Sequence, residues 1–170
     1  PDNVAPAIFG GMVLAPMGDD GEVLTVERVE MPQLRVALVL PDFELLTSEA
    51  RAALPTQVDR ADAIFNMARI PLVLRALEQE NYKLLCVAMD DRLHQPYRMP
   101  LVPGMKEAFV AAKEAGAAAV AISGAGPSTI AFAPSGHAEI GRAMLDAYAQ
   151  AGLNGRMWLL EADNTGSTIA

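Results

Sequence analysis

The chain has 170 residues and is 52% hydrophobic but only 5% aromatic, so its core must be built from small and aliphatic side chains. Its 13 Lys and Arg against 21 Asp and Glu give a formal net charge of −8, which argues against nucleic acid or an anionic membrane surface as the main partner. The single cysteine, Cys86, fits a reducing cytoplasm, and no apolar run approaches the roughly 20 residues of a membrane span.

The first part of the chain is predicted to form a short helix and two strands. Asp2 and Asn3 precede an apolar segment with a proline in its first turn, which is typical of a helix start, and a pair of glycines ends that helix. Strands are predicted at 12–15 and 22–29, around a turn rich in Gly and Asp. A boundary follows at Met31-Pro32. The predicted domains are 1–31 and 32–170.

The second part alternates strands and helices. Its order is strand, helices, two strands around a glycine-rich turn, helix and strand, which is close to a βαββαβ arrangement with extra helices in the first crossover. The longest predicted helix has apolar residues at three- and four-residue steps, and Pro71 inside it should kink or divide it. The predicted strands are 34–40, the apolar run before Ser123, 129–132 and 157–162; the predicted helices are 47–54, 60–80, 81–92, 105–114 and 136–151; and 95–100 is a predicted loop.

The glycine-rich turn at 123–128, SGAGPS, is the first candidate for a binding site. Gly124 and Gly126 can adopt positive φ and bring the backbone close to a ligand. The N–H groups of such a turn form a concave surface that suits an anion. The alternative is an ordinary hairpin turn that happens to contain glycine, and the turn alone leaves both interpretations open.

Two arginines form the second candidate. Arg69 and Arg98 lie in apolar sequence, where a charge must be solvated, paired or used to bind an anion. Asn66, three residues before Arg69, shares its helix face. An internal ion pair with a carboxylate is the alternative, and it remains open. No second His or Cys stands at ligand spacing from His94, so no metal site is predicted.

Together these segments resemble the bacterial homoserine kinase family. The motifs occur in that family's order and approximate spacing, and they cover essentially all 170 residues. The glycine turn alone would indicate only the wider superfamily that includes galactokinase and mevalonate kinase. The segments PDNVAPAIFGG at 1–11 and HQPYR at 94–98 narrow the resemblance to homoserine kinase. The motifs are PDNVAPAIFGG at 1–11, FNMAR at 65–69, HQPYR at 94–98, LVPG at 101–104 and ISGAGPS at 122–128.

The resemblance implies ATP-dependent phosphorylation of the side-chain hydroxyl of L-homoserine, a step of threonine biosynthesis. It also implies an α+β fold: a ferredoxin-like C-terminal domain with inserted helices, preceded by a remnant of an upstream α/β domain. By the family pattern, Asp2 and Asn3 hold the hydroxyl and ammonium groups of the substrate. Arg69 and Arg98 hold its carboxylate, and the turn at 123–128 lines the site beside the γ-phosphate. The implied residues are Asp2 and Asn3 as catalytic groups, and Asn66, Arg69, Arg98, Ser123, Gly124 and Gly126 as substrate-binding groups, with no metal ligand.

The family's glycine-rich phosphate loop would lie upstream of Pro1. The chain therefore looks like the C-terminal half of the enzyme and is expected to be inactive alone, with ATP and Mg²⁺ bound mainly by the missing N-terminal half. The resemblance is also compatible with a homodimer. Two alternatives stay open: a non-catalytic amino-acid-binding module of ferredoxin-like fold, and a kinase for another small alcohol of the same superfamily.

Overall fold

The computed structural model of the chain describes residues 3–168, so Asp2, one of the predicted catalytic residues, lies outside the described residues. Contacts within the chain divide it into two compact units. One comprises the described residues up to Leu34 together with those from Glu161 onward, and the other comprises Arg35–Leu160. None of the helices in the described residues is long and apolar enough to cross a membrane.

The first unit contains the short helix and the two strands that the sequence predicts. Helix α1 (Val4–Phe9) ends where Gly10 takes a φ of 70° and donates its N–H to the carbonyl of Pro6 at 2.9 Å. Strand β1 (Met12–Leu14) pairs antiparallel with β2 (Glu27–Val29). Of the predicted strand 22–29, only residues 27–29 form a regular strand. The turn before them is closed by an isolated antiparallel bridge between Met17 and Val23.

The second unit is built on a four-stranded sheet. Its strands are β3 (Arg35–Pro41), β4 (Ala119–Ile122), β5 (Thr129–Phe132) and β6 (Gly155–Glu161), in the spatial order β4-β5-β3-β6. Strand β5 is antiparallel to both β3 and β4. This is the strand order of a βαββαβ ferredoxin-like domain, so the predicted fold is confirmed.

Helices α6 (Met105–Glu114) and α7 (His137–Gln150) pack against each other, and α7 packs on β3. The core between helices and sheet consists mainly of Ala, Val, Ile and Met, as the composition requires. Tyr148 is the largest of the fully buried side chains, and its hydroxyl lies 2.6 Å from the hydroxyl of the buried Thr129. Burial raises the pKa of Tyr148, so the phenol stays neutral.

Four helices are inserted between β3 and β4, and two of the sequence predictions for them need correction. The long helix α3 continues through Pro71 without being divided, and a kink there stays a prediction; the carbonyl that loses its hydrogen bond belongs to Met67, which is 60% exposed and can be hydrated. The helix predicted at 81–92 ends at Ala88. The loop predicted at 95–100 is a helix followed by a 3₁₀ turn. The inserted helices are α2 (Thr47–Ala52), α3 (Arg60–Glu78), α4 (Tyr82–Ala88) and α5 (Gln95–Arg98).

Candidate functional site

The glycine-rich turn is the loop of the β4–β5 hairpin. Ser123 donates its N–H to the carbonyl of Ser128 at 2.8 Å, and Gly126 donates to the carbonyl of Ser123 at 3.1 Å. Gly124 has a φ of 60° and Gly126 a φ of 90°, so both glycines adopt the positive φ expected of them. Within residues 3–168, the N–H groups of Gly124 and Ala125 donate to no acceptor. The turn therefore presents two adjacent free donors.

Arg98, the last residue of α5, is only 7% exposed and reaches toward this turn. Its Nε donates to the carbonyl of Ala50 at 3.0 Å. Its Nη1 donates to the carbonyl of Gly124 at 3.3 Å and contacts Nε2 of His94. These three contacts use the N–H of Nε and both N–H groups of Nη1. The guanidinium is therefore fixed against the glycine turn by groups from α2, from the residue just before α5 and from the hairpin.

None of the acceptors around Arg98 is charged. Among the described residues, no carboxylate forms an ion pair with it, so the internal ion pair left open by the sequence is not formed there. Its Nη2 donates to no acceptor in this range, yet it is not one of the fully buried unpartnered atoms, so it reaches solvent. A buried cation with an accessible, unused donor suits an anion from outside the protein.

Asp91 organises the loop before α5. Its two carboxylate oxygens accept the backbone N–H groups of Leu93, His94 and Gln95 and the side-chain amide of Asn66. Burial alone would raise the pKa of Asp91, but the hydrogen bonds from Asn66 and the three N–H groups outweigh it and hold that pKa below its usual value. The carboxylate thus stays ionised while it caps α5.

Asn66, a predicted substrate-binding residue, is occupied by this capping structure. Its Nδ2 donates to Asp91 at 2.6 Å, and its Oδ1 accepts the backbone N–H of Arg92 at 3.0 Å. The amide therefore fastens α3 to the loop that carries α5. Gln95 fastens the same loop to the sheet, because its Oε1 accepts the N–H of Ile122 at 2.9 Å.

His94 links the cap to Arg98. Burial, and after it the positive charge of Arg98, lower the pKa of His94, while Asp91 acts in the opposite direction. The imidazole is therefore neutral near pH 7. Because Nη1 of Arg98 can only donate, the Nε2 atom that it contacts must be the acceptor.

Arg69 has different surroundings from Arg98. Its guanidinium carbon lies 3.2 Å from the ring centre of Phe65, and its Nη1 donates to the carbonyl of Phe65 at 3.0 Å. Its Nε is buried without a partner. Arg69 lines two neighbouring clefts of about 640 and about 260 Å³, both of which also contain Asp90 and Asp91 but not Arg98. Among residues 3–168, the two arginines share no hydrogen-bond acceptor.

The structure thus brings Arg98 together with Ser123, Gly124 and Gly126, and it joins Asn66 to this group through Asp91 and His94. Asn3 belongs to the other unit; it precedes α1, but its side chain does not cap that helix. Sequence reasoning missed Asp91, His94, Gln95 and Ala50. A signal existed for one of them, since His94 lies four residues before the predicted Arg98 and the two can therefore share a face of one helical turn.

Comparison with known proteins identifies the fold. Residues 73–150 match the family described as GHMP kinases C terminal. The chain is 44% identical over 170 residues to homoserine kinase of Moorella thermoacetica, covering 99% of this chain and 57% of that protein. The crystal structure of homoserine kinase from Cytophaga hutchinsonii superimposes with a TM-score of 0.89 at 28% identity, covering 97% of this chain and 52% of that chain.

A third structure, L. major mevalonate kinase in complex with R-mevalonate, has a TM-score of 0.59 at 13% identity, covering 95% of this chain and 51% of that one, and supports the fold alone. The chain therefore spans a little over half the length of the curated relatives it matches. Residues 73–150 thus match the GHMP kinase C-terminal family, and nearly the whole chain is similar to the C-terminal part of homoserine kinases.

Proposed function

We propose that this chain is the substrate-binding C-terminal part of a kinase that transfers the γ-phosphoryl group of ATP to the side-chain hydroxyl of L-homoserine. The observation that carries the proposal is the buried Arg98, whose hydrogen-bond partners are all neutral and whose Nη2 remains available. The similarity to homoserine kinases over nearly all of the chain supports the choice of substrate.

The substrate carboxylate would bind at Nη2 of Arg98. Because Nε and Nη1 are already held by the protein, the guanidinium loses little conformational freedom when the ligand arrives. The hydrogen bond is charge-assisted on both sides, which makes it stronger than a bond between neutral groups. Since only Nη2 is unused, Arg98 offers one nitrogen rather than a two-nitrogen fork, and a second donor must complete the grip on the carboxylate.

The transferred phosphate would face the free N–H groups of Gly124 and Ala125. In the reaction the homoserine oxygen forms a bond to the γ-phosphorus, the bond to the β–γ bridging oxygen of ATP breaks, ADP leaves, and the hydroxyl proton is released. Such a transfer depends mainly on positioning and on stabilising charge at the phosphoryl oxygens. Between residues 3 and 168, no group of three or more His, Cys, Asp or Glu is placed to hold a metal ion without other ligands.

Three further roles rest on the resemblance alone. Asp2 and Asn3 are proposed to hold the hydroxyl and ammonium groups, and Arg69 to serve as the second donor to the carboxylate. Arg69 also has a structural alternative, because its guanidinium lies over the ring of Phe65. A cation over an aromatic ring contributes about 0.5–1 kcal/mol to the stability of the fold at an exposed site.

Arg98→Lys in the full-length protein tests the proposal. Lysine keeps the charge but cannot reproduce the three fixed contacts and the free Nη2. We expect the KM for homoserine to rise roughly ten- to a hundredfold, corresponding to about 1.5–3 kcal/mol for a hydrogen bond to a charged group, with the KM for ATP nearly unchanged. Arg142→Lys is the control, because Arg142 is exposed and forms an ion pair with Glu139 on the surface.

An unchanged homoserine KM in Arg98→Lys, with lowered stability, would contradict the proposal and assign Arg98 a structural role. The homoserine KM and the stability of Arg69→Lys show in the same way whether Arg69 binds the substrate or has a structural role. A screen of small alcohols separates homoserine kinase from a kinase for another substrate, because a substrate without a carboxylate would be insensitive to Arg98→Lys. Homoserine binding without any turnover would favour the amino-acid-binding module.

A further inference from the structure

A continuous chain of hydrogen bonds runs from α3 to the glycine turn. Asn66 donates to Asp91, Asp91 accepts the backbone N–H of His94 at 3.0 Å, Nε2 of His94 meets Nη1 of Arg98, and the same Nη1 donates to Gly124 at 3.3 Å. Every link joins groups that lie in the second unit. None of these contacts by itself touches a substrate.

His94 is the link that determines where Nη1 points. Among the described residues, Nη1 has only two acceptors, and the contact with Gly124 is long for a hydrogen bond, which leaves His94 as the closer one. The backbone N–H of His94 is held by Asp91, which fixes the position of the backbone from which the imidazole reaches Arg98. Without an acceptor at this place, the end of Arg98 would be held only at Nε by Ala50 and weakly at Gly124.

We propose that His94, held in place by the Asp91 cap, is the positioning residue that fixes the guanidinium of Arg98 for the substrate carboxylate. The inference rests on the proposed function and adds to it a residue that touches no reacting atom. Its role requires one property, a neutral acceptor at the position of Nε2. It requires neither aromaticity nor a proton transfer.

That requirement can be tested with three substitutions of one residue in the full-length protein. His94→Gln keeps an amide oxygen at about the reach of Nε2. His94→Asn keeps the amide but shortens the side chain by one methylene group, so its oxygen falls short of Arg98. His94→Phe keeps a ring of similar size and removes the acceptor. Gln is therefore the rescue variant, and Asn is its control for polarity and charge.

We expect Asn and Phe at this position to raise the KM for homoserine about two- to tenfold, the scale of one ordinary hydrogen bond, while kcat at saturating homoserine and the KM for ATP stay close to wild type. His94→Gln should have a nearly normal KM. Direct titration of homoserine in the absence of ATP should give the same order of affinities. The Asn variant keeps the experiment decisive if the Phe variant does not fold.

Two results would overturn the inference while leaving the proposed function intact. One is a raised KM in Arg98→Lys together with a normal KM in both His94→Asn and His94→Phe. The other is a His94→Gln variant as impaired as His94→Phe, which would mean that packing of the ring matters and the acceptor does not. A normal homoserine KM in Arg98→Lys would instead remove the proposed function, whatever the His94 variants show.

Discussion

Gly124→Ala measures whether the glycine turn faces the transferred phosphate. Gly124 has a φ of 60°, and a Cβ added there would have no atom within 4 Å. The substitution is therefore free of clashes within the protein, and its cost in stability is limited to the left-handed backbone, about 1–2 kcal/mol. A phosphate approaching the N–H groups of Gly124 and Ala125 would, however, meet the new methyl group.

The expected signature is a large loss of turnover with a small loss of stability. Displacing a reacting group by about 1 Å costs roughly a hundredfold in rate, and that is the expected fall in kcat. The assay combines steady-state kinetics with denaturant unfolding of the full-length protein. Gly152→Ala is the matched control, since Gly152 has a φ of 83° and open space around it but follows α7. The control should lose similar stability and keep its kcat.

A Gly124→Ala variant with normal kcat and the stability of the Gly152→Ala control would refute the reasoning, because the turn would then be an ordinary hairpin loop. Gly126→Val is a poorer probe. Its Cβ would lie 3.3 Å from Ile122 and 3.4 Å from Leu45, and the φ of 90° adds strain for a β-branched residue. Any loss of activity there would be mixed with loss of folding.

Two further predictions concern pH and the chain itself. The pKa of His94 is lower in the folded state than its ordinary value of 6.5, so the unfolded state takes up a proton first as the pH falls. The free energy of unfolding should therefore be unaffected by His94 above about pH 6.5 and should fall as the pH drops from there toward the folded pKa. His94→Gln should flatten this part of the stability–pH curve. The charged groups around His94 are Arg98 and Asp91, with Arg69 and Asp90 in the adjoining cleft. A slope unchanged in His94→Gln would contradict the assignment of this titration to His94. The 170-residue chain alone is expected to show no homoserine-dependent ATP turnover, and measurable turnover would contradict this.

The main elements of the fold could be predicted because their signals are local. An apolar run predicted β3, three- and four-residue spacing predicted α3, and two apolar runs around a glycine turn predicted the β4–β5 hairpin. The errors lie where the local signal is weak or misleading. Helix α5 has only four residues and begins with Gln95 and Pro96. It forms because Asp91 accepts hydrogen bonds from the backbone N–H groups at 93, 94 and 95, at its start.

In the candidate site, too, the local sequence signals were predictive and the contacts between distant residues were not. A charge in apolar sequence was enough to single out Arg98, but two of its three acceptors are backbone carbonyls, 48 and 26 residues away in sequence. A carbonyl is present at every residue and has no sequence signature, so sequence could show that Arg98 needs partners without showing which ones. Arg69 and Arg98 looked equivalent for this reason. What distinguishes them is local after all: Arg69 stacks on Phe65 and Arg98 contacts His94, each four residues earlier. An arginine four residues after an aromatic ring favours stacking, and one four residues after a neutral histidine gains an acceptor that aims it.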